Sequence, residues 1–120
     1  SDHLPEDEES KRLPFAQAAT GAIGVETLLP LSLEMYHNES LPLSKIIETL
    51  TINPAEILKI KKGSLVKGSD GDICVFDLEA PWAVQADKLK SKSKNTAIEG
   101  RKLQGKVLMT FLNGQLAFNQ

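Results

Sequence analysis

Apolar residues recur at helical spacing in the first half of the chain and alternate, or run together, in the second. Residues 1–22 are polar and then Ala/Gly-rich, punctuated by Pro5 and Pro14, and read as loop without a hydrophobic period. From Gly24 onward, Leu28, Leu31 and Met35 lie on one helical stripe, and Leu29 and Leu33 add a second. Two apolar stripes predict a helix covered on more than one face, which Pro30 either kinks or opens. Asn38 to Pro42 is a break, after which Ile46, Ile47 and Leu50 mark a short second helix. A third should start at Asn53-Pro54, because Asn caps orphan amides and Pro suits a first helical position. Ile57 and Leu58 would form its buried side, and Gly63 would end the basic run 59–62.

Beyond Gly63 the period falls toward two. Leu65-Val66 and Ile73–Phe76 read as short strands, separated by Gly68-Ser69-Asp70-Gly71. Val107, Met109 and Phe111 alternate with Leu108, Thr110 and Leu112, as in a strand covered on both faces. Asn113-Gly114 is a strong two-residue hairpin signal, since both central positions need positive φ. Leu116 and Phe118 then belong to the returning strand. Helices precede strands, so the fold class is α+β, and no internal repeat is visible. The opening loop has no evident element to hold it, and no methionine starts the chain. Both features fit a segment of a longer protein.

Composition narrows function mainly by exclusion. The 120 residues are 41% hydrophobic and 25% charged, ordinary values for a globular cytoplasmic protein. A formal net charge of −2 gives no reason to expect nucleic-acid binding. Lys88, Lys90, Lys92, Lys94, Arg101 and Lys102 lack interleaved aromatics and read as a solvated face. No apolar run is long enough to span a membrane. Cys74, the single cysteine, permits neither a disulfide nor a cysteine metal cluster, and is expected to pack in the sheet core with Trp82.

The order of several short segments carries more information than any one of them. Asp2-His3-Leu4-Pro5, Lys11 and Gly21–Leu31 come first, followed by Asn53–Leu58, Gly68–Asp77, Lys90–Thr96 and Gly105–Val107. In this succession, over essentially the whole chain, the sequence resembles the C-terminal part of dihydroorotases of the amidohydrolase superfamily. The resemblance implies the last βα unit of a (β/α)8 barrel with its substrate loop and helices over residues 1–62. Residues 63–120 would be part of the composite β-sheet domain that follows the barrel. It also implies a zinc-dependent cyclic-amide hydrolase that interconverts dihydroorotate and N-carbamoyl-aspartate in pyrimidine synthesis.

Under that resemblance Asp2 is a metal ligand and the general base, and Thr20 and Gly21 belong to the loop whose backbone grips the substrate. Without it, one Asp beside one His near the start of the chain would read as solvated surface. Gly21 suits a loop that approaches a ligand by its main chain, because no Cβ intervenes. Thr20 stands where many relatives carry a bulkier residue. Glu6 departs from the histidine that commonly helps hold the substrate's carboxylate; a glutamate there would repel it unless protonated or turned away. Glu6 is the feature that favours an alternative, a silent homologue that scaffolds aspartate transcarbamoylase. A free-standing α+β interaction domain is a third reading. His3 is expected to make supporting hydrogen bonds, and His37 to lie on the surface or cap its helix. The family's His-x-His pair, bridging carbamylated lysine and further histidines are absent from these residues, and a barrel needs roughly 200 residues. The chain alone is therefore expected to be inactive, with the remainder of the parent chain as its necessary partner. A homodimer of the parent is a further expectation of the resemblance.

Overall fold

The computed structural model describes all 120 residues. Four helices come first: α1 (Glu8–Lys11), α2 (Leu28–His37), α3 (Leu43–Leu50) and α4 (Ile52–Ile57). Strand β1 (Ile73–Ala83), a 3-10 turn (Ala86–Lys88), β2 (Lys102–Leu112) and β3 (Gln115–Asn119) follow. The strands form one antiparallel sheet in the order β1-β2-β3, with β2 central. The helices-then-strands order is as the periodicity predicts.

Helix α2 joins the helical and strand halves. Pro30 sits in its first turn, where its missing N–H costs nothing. Of its two apolar stripes, the one containing Leu33 is buried against β2; Leu33 has no exposed surface at all. Gly105 on β2 makes that approach possible: a Cβ there would lie 2.4 Å from Leu33 Cδ1. The other stripe is covered only at Leu31, which packs on the core. Leu28 and Met35 are exposed and, with Leu31, line an open depression of about 380 Å³. Arg101 and Glu34 add a paired guanidinium–carboxylate contact at 2.8 and 3.0 Å between the β2 end and α2. Beneath the sheet, Ile23, Val84, Leu89 and Leu103 form the main core, with Leu31, Trp82 and Ile98 packed around it.

Asn113 and Gly114 both have positive φ and connect β2 to β3, as the hairpin signal predicts. Elsewhere local signals were overridden. Helix α4 starts at Ile52 with Thr51 as N-cap, so Pro54 is its third residue and not its first. It ends well before Gly63. Lys59 takes the left-handed conformation, with Ile60 N bonded to Ala55 O and Lys59 N to Glu56 O. Ile57 and Leu58, expected to be buried, are 80% and 67% exposed. Leu65-Val66 forms no strand and is exposed as well. Strand β1 instead runs on past Phe76, across a bulge where Asp77 Oδ1 accepts the amides of Glu79 and Ala80. Pro81 resumes the pairing on this edge strand, where a missing N–H is tolerated.

Cys74 and His37 sit differently from expectation, whereas Trp82 packs against the core as expected. Cys74 is exposed, because it occupies the outward face of an edge strand near its start. Trp82 is half-buried and donates its indole N–H to Gly105 O at 3.0 Å. His37 is neither a surface residue nor a cap. Asn38 occupies the C-cap, while His37 packs edge-on to Tyr36 with Nδ1 3.9 Å from Glu79 Oε2 and Nε2 buried without a partner. Lys88, Lys90, Lys92, Lys94, Arg101 and Lys102 are all exposed, as expected of a solvated face. No helix is long and apolar enough to cross a membrane.

Candidate active-site segment

The opening stretch, read as unanchored loop, is held at several points. Its single-turn helix α1 is capped by Asp7, whose carboxylate accepts Ser10 N at 2.7 Å; that bond holds the carboxyl below its ordinary range. One capped turn has no hydrophobic period, so the pattern could not reveal it. Upstream, His3 and Ala22 form a parallel bridge in which Leu4 N donates to Ala22 O at 2.9 Å. His3 Nδ1 accepts Gly24 N at 3.0 Å and lies 3.4 Å from Val25 N. An accepting Nδ1 leaves the ring proton on Nε2 in the neutral imidazole. This is the supporting hydrogen-bond role expected of His3.

Asp2 precedes that bridge with φ +48, a left-handed conformation that Asp tolerates better than most residues. Its carboxylate is exposed, on the rim of the depression lined also by Ile23, Thr27 and Leu31. Thr20, Gly21 and Glu6 do not line that depression. They are joined to Asp2 through the backbone, across the His3–Ala22 bridge.

Gly21 is fixed by its carbonyl. Lys11 Nζ donates to Gly21 O at 2.7 Å and to Ala19 O at 2.7 Å, and Asn95 Nδ2 donates to Gly21 O at 3.2 Å. With φ +127, Gly21 has no room for a side chain: a Cβ would meet Leu4 Cδ2 at 2.7 Å and Leu4 O at 2.8 Å. The amides of Thr20 and Gly21 find no acceptor within the chain, which leaves two donors on a loop whose carbonyl is tied inward. A loop so built can present N–H groups to an anionic or carbonyl oxygen.

A strap from the C-terminal half, residues 89–96, lies against this loop. Glu26 accepts the amides of Lys90 and Ser91 at 3.0 and 3.1 Å, and Ile23 N donates to Asn95 O at 3.1 Å. Asn95 Oδ1 accepts Glu6 N at 3.3 Å, while Ser93 Oγ donates to Glu6 O at 2.5 Å. Asn95 thus brings Glu6 and Gly21 together. Sequence reasoning quoted Lys11 and Asn95 only as parts of resembling segments, and gave no role to Ser93 or Glu26. Their partners are main-chain atoms up to 89 residues away, and no local pattern encodes such contacts.

Zinc needs several converging oxygen, nitrogen or thiolate donors. No three His, Cys, Asp or Glu side chains converge in this chain, and His3 Nδ1 is already engaged. The exposed Asp2 carboxylate is an oxygen donor of suitable chemistry, so the chain can offer one ligand and not a complete site.

Residues 10–117 match the Amidohydrolase family. The dihydroorotase of Ehrlichia chaffeensis is 43% identical over 118 residues, which are 98% of this chain and 26% of that protein. The dihydroorotase of Wolbachia sp. subsp. Drosophila simulans is 41% identical over 120 residues, 100% of this chain and 27% of that protein. The crystal structure of dihydropyrimidinase from Brevibacillus agri superposes with a TM-score of 0.92 over 99% of this chain and 27% of that one. At 21% identity, that last likeness is one of fold. The chain spans about a quarter of the length of the curated relatives it matches.

Proposed function

The chain belongs to the amidohydrolase family, and we propose that it is part of a dihydroorotase. In this reading residues 1–62 close the catalytic barrel with its last βα unit, and residues 63–120 belong to the sheet domain behind it. The parent hydrolyses and re-forms a cyclic amide, interconverting dihydroorotate and N-carbamoyl-aspartate. The observation that carries the assignment is the His3–Ala22 bridge, which pins the Asp2 stretch beside a loop with two unengaged amides.

The chemistry follows from what an unactivated amide requires. When bound, zinc lowers the pKa of a coordinated water toward ~7 and so makes a nucleophile available at neutral pH. Asp2 would be a ligand to that zinc and would take the proton that the water loses. Asp2 would then be placed to return that proton to the ring nitrogen as the C–N bond gives way to the new C–O bond. Thr20 and Gly21 would present their amides to substrate oxygens. The remaining ligands come from the rest of the parent chain. The exposed Leu28 and Met35 on α2 and the exposed Ile57 and Leu58 support such a partner, because apolar surface of this kind is usually buried against something.

The test is dihydroorotate hydrolysis by the full-length protein that carries this segment, with zinc measured on the same sample. Turnover with bound zinc is expected, and Asp2→Asn should lower kcat by at least ~100-fold with folding intact. Undiminished turnover in that variant removes Asp2 from the mechanism. A folded parent with neither zinc nor turnover, co-purifying with a transcarbamoylase, would replace the enzyme reading with the silent scaffold.

A further inference from the structure

Asn95 is the one side chain that touches both ends of the proposed substrate-binding stretch. Its amide plane spans two main-chain groups far apart in sequence: Oδ1 receives Glu6 N at 3.3 Å, and Nδ2 reaches Gly21 O at 3.2 Å. Only this orientation satisfies both, because an N–H must meet the oxygen and a carbonyl must meet the NH2. Ser93 supports the arrangement by donating its single hydroxyl proton to Glu6 O, with Asn95 Oδ1 as the alternative acceptor within reach. The strap that carries Asn95 is seated independently of the amide, through Ile23 N to Asn95 O and through Glu26 to Lys90 N and Ser91 N.

We propose that Asn95 is a positioning residue, which sets the spacing between the Glu6 main chain and the Gly21 loop and thereby the grip on substrate. The proposal rests on Thr20–Gly21 being the substrate loop. The requirement is specific to an amide at this length. An aspartate accepts but cannot donate, an alanine does neither, and a glutamine places the same groups one methylene further out. Gly21 O keeps Lys11 as a second donor, so loss of Asn95 loosens the loop without releasing it. The effect should fall on substrate binding and leave proton transfer at Asp2 intact.

Two variants of the full-length protein separate this role from a purely structural one. Asn95→Ala removes both bonds, and Asn95→Asp keeps the acceptor for Glu6 N while setting a carboxylate against the Gly21 carbonyl. Amide exchange at Glu6 reads the first bond, and Leu4, whose N–H is bonded to Ala22 O, reads the loop. Ile23 reads the strap, through the main-chain oxygen that neither variant alters. Protection at Glu6 should fall in Asn95→Ala and persist in Asn95→Asp, with Leu4 loosened in both and Ile23 unchanged. KM for dihydroorotate should rise about tenfold in both, the scale of one lost hydrogen bond to a partly buried group. Meanwhile kcat should stay within about twofold, since the transition-state groups are untouched.

Unchanged KM and unchanged protection at Glu6 and Leu4 would overturn the proposal. So would equal losses at Glu6, Leu4 and Ile23, with kcat falling alongside KM, because that pattern marks a general structural role. A wild-type protein that does not turn over dihydroorotate would overturn the functional reading instead. The exchange pattern would still decide whether Asn95 holds the loop.

Discussion

Replacing Gly21 with alanine tests whether the loop geometry described above is a requirement or an accident of packing. The backbone there has φ +127, outside the regions open to a residue with a Cβ. Holding a side-chain-bearing residue in such a conformation costs of order 1–3 kcal/mol. The new methyl would also lie 2.7 Å from Leu4 Cδ2 and 2.8 Å from Leu4 O. The leucine side chain is half-exposed and can swing away. Its carbonyl cannot move freely, because Leu4 N is bonded to Ala22 O and Lys11 and Asn95 hold Gly21 from the other side. We therefore place the cost near the top of that range, about 2–3 kcal/mol. At a factor of ten for each ~1.4 kcal/mol, the native loop loses roughly 30- to 150-fold in population relative to opened forms. Local opening is cheaper than global unfolding, so the penalty should appear in the loop and not in the melting temperature. In the full-length Gly21→Ala variant, amide protection at Leu4 and the affinity for dihydroorotate should both fall by that factor. Values of both within about threefold of wild type would refute the argument, since they would correspond to well under 1 kcal/mol of strain.

Two further outcomes follow from the fold. Leu33→Ala should destabilise by roughly 2–5 kcal/mol, because the side chain is fully buried and Gly105 on β2 packs directly on it. Denaturant unfolding of the full-length protein measures this, and a loss below about 1 kcal/mol would mean that the α2–β2 contact collapses onto the cavity without cost. The β2–β3 hairpin should weaken in acid. Asp72 accepts Asn113 N at 2.8 Å and pairs with Lys62, and these contacts, the amide first, lower its pKa from 3.8. A depressed carboxyl stabilises the fold above its unfolded pKa, and that contribution disappears as pH falls through the lower folded value. The window therefore lies below 3.8, and protection of the Asn113 amide should decline there in the wild type. Asp72→Asn should flatten that acid dependence; an unchanged acid profile would show that the carboxylate does not hold the turn.

What the sequence made legible had local causes. The Asn113-Gly114 turn demands positive φ at two adjacent residues, and few other pairs supply it. Leu33 and Ile46 fell on helical stripes and are buried. Failures came where distant contacts overrode a local rule. Asn53-Pro54 has the features of a helix start, yet Thr51 takes the cap and the helix begins one residue before Asn53. Ile57, Leu58, Leu65 and Val66 are apolar enough to predict burial, but within this chain nothing packs over them. The continuation of β1 was hidden by Asp77 and Pro81, which look like a turn and form a bulge. Of the candidate site, Asp2 and the Thr20–Gly21 loop are proposed on ordered resemblance alone. Lys11, Ser93 and Asn95 act on carbonyls and amides, and a main-chain partner leaves no mark in the sequence.

The same distinction between main chain and side chain bears on Glu6. As a side chain it departs from the histidine that the resemblance implies. As a backbone position it is held from both sides: Asn95 Oδ1 receives its N–H and Ser93 Oγ donates to its carbonyl. Neither bond depends on what residue 6 carries beyond Cα. The strap therefore builds the loop equally well around a glutamate or a histidine, and the substitution changes only the group available at that point. A carboxylate there would act through charge, so its effect on an anionic substrate should be screened by salt if it is exposed and persist if it is buried. The half-buried Glu6 lies between those limits. Glu6→His should consequently lower KM for dihydroorotate with little change in kcat, because it alters attraction for the ground state and transition state alike. A rise in kcat without a change in KM would contradict this account, by placing residue 6 in the chemical step.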